Sequence, residues 1–280
     1  MNDVLSASGG VKQVICINWG TKYGAKFINR LYGMVARNIT PPFTFTCFTD
    51  TRDGLNPNIL CEDLPPLAVS AMPVNTPGIW NKARLWGPNL GSLKGPVLFL
   101  DLDLVIVRSL DAFFEVGSAE DVVMTRNQTT PFEKLGQTSL YRFPVGKLLP
   151  LQEAFCANPQ GIADQYRFEQ RFVTKNAPGG PRFYPRRWVL HFRQDCRQPL
   201  PLNYFFAPKL PKDARVVIFP RTLRPENAIL GKFYNNGATT IRDHLARTFD
   251  KTRRKSSDTP FSHLRHYIKP TKWVEDNWRE

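Results

Sequence analysis

Val97-Leu98-Phe99-Leu100-Asp101-Leu102-Asp103-Leu104-Val105-Ile106 is the stretch on which the reading of this chain turns. Two carboxylates interrupt an otherwise wholly apolar run. Gly95-Pro96 leads into it, so Val97 to Leu100 reads as a buried strand that ends on Asp101. If the chain stays extended through Leu104 to Val107, alternation puts Asp101 and Asp103 on one face. Burying two like charges together is costly unless a cation compensates them. A hard divalent ion, Mn²⁺ or Mg²⁺, takes carboxylate oxygens and keeps positions for substrate phosphates. The C-terminal end of a strand is also where α/β sheets collect ligands.

The elements before this stretch repeat one pattern. Val11 to Asn18 is β-branched and apolar, a strand. Trp19 to Gly24 is a glycine-containing turn. Phe27, Leu31, Met34 and Val35 then recur at helical spacing up to about Asn38, and Pro41-Pro42 closes the helix. Phe43 to Thr49 is a second strand, and Asn58 to Leu64 is a candidate third. Strand, helix and strand at this spacing make a βαβ unit, hence a sheet that is parallel there. Trp80 to Trp86 reads as a short helix, Ser109 to Phe114 as another capped by Ser109, and Asp121 to Thr125 as a strand. Further on, Thr138 to Val145 and Arg215 to Phe219 read as strands, Leu149 to Phe155 and Pro225 to Phe233 as helices, and Asp164 to Lys175 as partly helical. Arg187 to Phe192 is extended and Gln198 to Lys212 a proline-punctuated loop. Lys251 to Asp258 is a basic linker, and Phe261 to Glu280 a tail whose Trp273 and Trp278 dock it on the body.

Composition bounds the rest. In 280 residues, 42% hydrophobic content is ample for a packed core, and 12% aromatics argue against disorder. The net charge of +14 favours phosphate-bearing partners. From Arg182 to Lys255 there are 17 Lys/Arg against 5 Asp/Glu, a solvated basic face or a patch for anionic membrane or a lipid-linked acceptor. Nucleic acid is disfavoured, because the cations lie among proline loops and no zinc-finger or RRM pattern accompanies them. The five scattered cysteines lack C-x-x-C spacing, and Cys16 and Cys47 sit inside strand-like runs, as reduced core residues would. Met1 to Lys12 has no apolar h-region, and no apolar run is long enough to span a bilayer. A cytoplasmic location is expected, extending to the inner face of the membrane. The sequons at Asn38 and Asn127 are then coincidental.

Strand-D-x-D has three readings. One is a strand end with two solvated or arginine-paired acids. A second is a haloacid-dehalogenase-like phosphatase, with the first Asp as nucleophile, although Leu104-Val105 stands where that loop has Gly-Thr. The third is the D-x-D motif of GT-A glycosyltransferases. Several segments together resemble this last group, in particular members related to glycosyltransferase family 8, which includes glycogenin and bacterial lipopolysaccharide glycosyltransferases. Phe99 to Leu110, FLDLDLVIVRSL, is the strongest match. Cys16 to Gly24, Thr49-Asp50, Trp80 to Trp86, Gln137 to Val145, Glu169-Gln170, Tyr184 to Trp188 and Lys269 to Trp273 also fit.

The resemblance implies one GT-A-like α/β domain over 1–280, with a mixed, mainly parallel central sheet flanked by helices. Residues 11–125 would form the nucleotide-sugar-binding half, 126–250 the acceptor side, and 251–280 the linker and tail. It implies sugar transfer from a UDP- or GDP-linked donor to a hydroxyl on a glycan or glycolipid acceptor, in cell-surface polysaccharide or glycolipid synthesis. Asn18, Trp19, Gly20, Tyr23, Asp50, Lys82, Asp101 and Leu102 would contact the donor. Asp101 and Asp103 would hold Mn²⁺ or Mg²⁺, and Asp103, Glu169 and Gln170 would serve catalysis. A metal-completing histidine after the last strand is replaced by Pro220-Arg221. His266 and His191 are the substitutes, or Arg221 or Arg224 neutralises the diphosphate directly. An inactive nucleotide-sugar-binding relative is the alternative that this departure raises.

Overall fold

A computed structural model describes residues 10–75, 77–130, 132–219, 223–234 and 237–280. Its largest sheet has seven strands in the order β3-β2-β1-β4-β7-β6-β8. These are β1 (Lys12–Asn18), β2 (Phe43–Thr49), β3 (Leu60–Glu62), β4 (Pro96–Leu100), β6 (Val123–Arg126), β7 (Gly136–Pro144) and β8 (Arg182–Phe183). β5 (Val105–Ile106), β9 (Val189–His191) and β10 (Val216–Ile218) form a second sheet in the order β5-β10-β9. β1 pairs in parallel with both β2 and β4, and β2 with β3. β7 runs antiparallel to β4 and β6. The large sheet is therefore mixed and mostly parallel, with helices against it.

The apolar runs in β1 and β4 follow from burial on both faces. Val14, Cys16, Leu98 and Leu100 enter one core cluster, with Phe27, Leu31 and Met34 of helix α1 (Ala25–Arg37). Ile15, Ile17, Val97 and Phe99 enter the other, with Trp80, Trp86 and Phe155. Each such side chain taken fully out of water contributes roughly 1.5–3 kcal/mol. The C-terminal helix Lys272–Asn277 brings Trp278 edge-on to Phe27 of α1, ring centroids 5.4 Å apart. A Cβ on Gly33 would lie 2.5 Å from the backbone of Glu280, so α1 needs glycine where the chain end crosses it.

Local readings are corrected in four places. Ser109 is not a helix cap: the helix is Ala112–Glu115, and the Ser109 hydroxyl donates to Asp111 while accepting that residue's N–H. The segment from Asp164 to Lys175 divides into helices Pro159–Tyr166 and Glu169–Asn176, broken where Arg167 takes φ 63°. A helix at Ile241–Phe249 appears where the sequence suggested no element. The chain also does not stay extended through the acidic motif. It turns at Leu102 and Asp103, and β5 then leaves the large sheet for the small one. Pro220 and Arg221, on which the missing-histidine argument rests, lie outside the described residues.

Candidate functional site

The strand order reverses direction around β1. β2 lies on one side of it and β4 on the other, so the C-terminal ends of β1 and β4 open a crevice of the kind that binds ligands in α/β sheets. Residues singled out from sequence converge there. Asp101 extends the ladder beyond β4, donating its N–H to the Ser139 carbonyl at 2.9 Å. Lys82, on the 3-10 turn Asn81–Trp86, is buried and brings its ammonium to within 2.8 Å of Asp101 Oδ1 and 3.6 Å of Glu169 Oε1. It also donates to the carbonyl of Thr138 at 3.2 Å. The Thr138 hydroxyl in turn donates a short hydrogen bond to Glu169. Burial opposes the charge on Lys82, but Asp101 and then Glu169 outweigh it and raise the lysine's pKa.

The second acid has a different partner. The turn at Leu102 sends that side chain into the core and delivers Asp103 to Tyr23, whose hydroxyl donates to Oδ2 at 2.5 Å. Burial, and next the charge of Asp101, push the Asp103 carboxyl above its ordinary range, against the hydrogen bond from Tyr23 and the pull of Lys22 and Lys82. Burial and the Asp103 charge likewise hold the Tyr23 phenol well above its usual value. Arg224 places its guanidinium 5.3 Å from the centre of the Tyr23 ring, and the Lys22 ammonium is 4.7 Å from it.

The end of β1 completes the crevice. Gly20 turns the chain at φ 61° and donates its N–H to Asp50 Oδ2 at 2.8 Å, tying the ends of β1 and β2 together. Trp19 is half-buried beside the core. Asn18 is buried at the tip of β1. Its amide nitrogen is 3.5 Å from Thr49 Oγ1, but its Oδ1 has no hydrogen-bond partner among the described residues. Buried acceptors are normally satisfied, so this oxygen is suited to a ligand N–H.

Glu169 thus lies inside the constellation. Gln170 follows it on the first turn of helix Glu169–Asn176, partly exposed. The two histidines do not join. His191 ends β9, where its backbone N–H donates to Asp195. His266 has its Nδ1 3.0 Å from both Asp258 and the Tyr234 hydroxyl, with its ring stacked on Phe233. Among the described residues no three His, Cys, Asp or Glu side chains assemble into a metal cluster. Sequence reasoning missed Lys22, whose only signal was a cation inside the glycine turn, and gave Thr138 no role of its own.

No protein-family model and no curated protein matches the chain. Solved structures do. An active-site mutant of LgtC aligns with 84% of this chain and 94% of its own at 12% identity, TM-score 0.56. The galactosyltransferase LgtC in complex with donor and acceptor sugar analogues aligns with 76% and 88% at 12% identity, TM-score 0.54. GlyE, a glycosyltransferase of Streptococcus pneumoniae, aligns with 77% of this chain and 56% of its own at 10% identity, TM-score 0.53. Likeness at such identities establishes architecture, and the architecture of this chain is the mixed, mostly parallel α/β fold of GT-A glycosyltransferase structures.

Proposed function

We propose that this protein transfers a sugar from a nucleoside-diphosphate donor to a hydroxyl acceptor. The observation that carries the reading is the Asp101–Lys82–Glu169 bridge at the β1/β4 switch point, with Asp103 beside it. Asp101, Asp103 and Glu169 around the single Lys82 concentrate negative charge for a divalent cation to offset, and Lys22 and Arg224, beside Tyr23, offer cations to the diphosphate of the donor. Lys82 fixes the orientation of Asp101 and Glu169. Asn18 Oδ1 and the Gly20 turn offer the base and ribose an acceptor and close backbone approach. Glu169, held by Thr138 and Lys82, is the carboxylate assigned to the sugar.

The donor set fits a hard divalent cation. Asp101 and Asp103 supply carboxylate oxygens, and such ions bind through one or two carboxylates together with substrate phosphates. The rise in the Asp103 pKa that Asp101 contributes is the repulsion such an ion relieves. Bound there, Mn²⁺ or Mg²⁺ supplies charge neutralisation on the leaving diphosphate. UDP- and GDP-linked sugars are the donors proposed, and a glycan or glycolipid hydroxyl the acceptor.

A thermal-shift panel of nucleoside diphosphates and nucleotide-sugars, with and without Mn²⁺, tests this directly. A ligand specific to the folded state raises the melting temperature by mass action. A metal-dependent rise with a UDP or GDP ligand, lost in Asp101→Asn, is the expected result, and transfer activity should fall by roughly 10²–10³-fold in that variant. No rise with any nucleotide, or full activity in Asp101→Asn, overturns the proposal.

A further inference from the structure

Helix Ile241–Phe249 is turned inside out. Its protein-facing residues are His244 and Thr248, 3% and 0% exposed, whereas Leu245 and Phe249 are 43% and 82% exposed. Ile241, Leu245 and Phe249 follow one another at four-residue spacing and so form one apolar stripe on the solvent side. Further exposed aromatic rings lie on the segments packed against the inner face of the helix. Phe261, 57% exposed, lies on helix Pro260–Leu264, joined to the first helix by stacking of His263 on His244. Phe205 and Phe206, both exposed, follow Tyr204, whose ring meets His244 and whose hydroxyl donates to the Leu264 carbonyl.

The surroundings of this face carry an excess of positive charge. Arg242 is exposed on the helix beside the stripe and Lys251 is exposed just past its end, while Arg253, Arg254 and Lys255 turn to Asp243, the Thr248 carbonyl and the Tyr234 ring. Its acids are already engaged: Asp243 pairs with Arg247 and Arg253, each at 2.7 Å, and Asp250 accepts from the Thr252 hydroxyl and N–H. Isolated exposed apolar residues need no explanation, but a contiguous patch with a polar rim marks an interaction surface. An apolar stripe edged by arginine and lysine matches the headgroup boundary of an anionic bilayer, where the stripe sinks among acyl chains and the cations meet lipid phosphates.

We propose that the helix Ile241–Phe249 docks the protein on an anionic lipid surface through its outward apolar stripe, lying in the interface without crossing it. No described helix is long and apolar enough to cross a membrane. This docking does not rest on the sugar-transfer reading, and its test uses no nucleotide.

The test is co-sedimentation of the full chain with vesicles of phosphatidylcholine alone or mixed with phosphatidylglycerol. The wild type should pellet with the mixed vesicles only and be released by high salt, which screens the rim. The double variant Leu245→Ser/Phe249→Ser should bind mixed vesicles about tenfold or more weaker, from the apolar area withheld from the bilayer. Both side chains are exposed, so the variant's melting temperature should match the wild type's. A second variant, Arg242→Gln/Lys251→Gln, should lose the preference for anionic lipid. Absence of vesicle binding, equal binding to both vesicle types, or undiminished binding by Leu245→Ser/Phe249→Ser overturns the proposal. So does a wild-type dimer that this variant converts to monomer, which assigns the face to a second copy.

Discussion

Two regions bury titratable side chains, and they treat them in opposite ways. At the ends of β1 and β4, Asp101, Asp103 and Glu169 surround Lys82, and the lysine's pKa is raised because the acids outweigh its burial. In the C-terminal region, His244, His263 and His266 lie among Tyr204, Phe233 and Tyr267, and burial lowers the pKa of all three, that of His244 to about 4. The first region gathers charge of both signs around Lys82. The second discharges its imidazoles and stacks them. On the proposed function, the charges held together at the ends of β1 and β4 are kept for a ligand, whereas the stacked rings serve packing.

The largest effect that separates the regions is expected at Lys82. Lys82→Met leaves Asp101 and buried Glu169 facing each other with their shared cation removed. Breaking a buried pair from one side costs about 3–5 kcal/mol, to be read as a lower denaturation midpoint. Lys82→Met/Glu169→Gln should recover part of that loss, because the second change removes the stranded charge. If the single variant is as stable as the wild type, the bridge is not the electrostatic centre of the site.

How much of this was legible depended on whether a signal was local. β1 and β4 could be read because the centres of strands buried on both faces must be apolar, β2 because β-branched threonines alternate there with apolar residues, and α1 because it has one apolar stripe. Asp101 was legible as a charge where such a strand ends. The turn at Leu102 was not. Extended alternation predicted two acids on one face, but tertiary pairing moved β5 to another sheet and gave Asp103 to Tyr23, 80 residues away. His266 was indistinguishable from a ligand in sequence, because its partners Asp258 and Tyr234 are fixed only by folding. Helix Ile241–Phe249 escaped notice although its apolar residues are regularly spaced, since their outward placement could be seen only against the body they turn away from.

The histidine region makes an intermediate prediction through pH. An unfolded histidine titrates near 6.5, while burial, and then the charge of His263, hold folded His244 near 4. Between these values the unfolded chain binds a proton that the folded chain refuses, so stability is full above about pH 6.5 and is lost as pH falls toward 4. The loss from this residue is at most about 3 kcal/mol. His263 and His266 act in the same direction. Asp258, which faces both, and Arg247 and Arg254, which face His263, set the local field. Carboxylates held low, such as Asp111, release their stability mostly below about pH 4, and the raised carboxyls of Asp103 and Asp195 act in the opposite sense, so the histidine contribution is the difference between wild type and His244→Phe. Urea midpoints measured across it should slope downward in the wild type and less steeply in His244→Phe. An equal slope in both proteins would remove the histidines as its source.

The smallest effect has the opposite sign. Asp103 carries a raised pKa, so above its ordinary range the folded state bears a charge that burial and Asp101 disfavour. Asp103→Asn removes that repulsion and keeps an oxygen to accept the Tyr23 hydroxyl. The unliganded variant should therefore be more stable near neutral pH, by on the order of 1 kcal/mol, and the gain should shrink as pH falls and the wild-type carboxyl takes up its proton. The same variant should lose the metal-dependent thermal shift with nucleotide. Stability gained while binding is lost is the signature of a side chain kept for its ligand at the expense of the fold. His244→Phe, in contrast, should leave nucleotide binding untouched. If Asp103→Asn instead destabilises the protein at neutral pH, as removal of a packing residue would, then Asp103 belongs with the histidines as a structural group, and Asp101 must bind the donor without it.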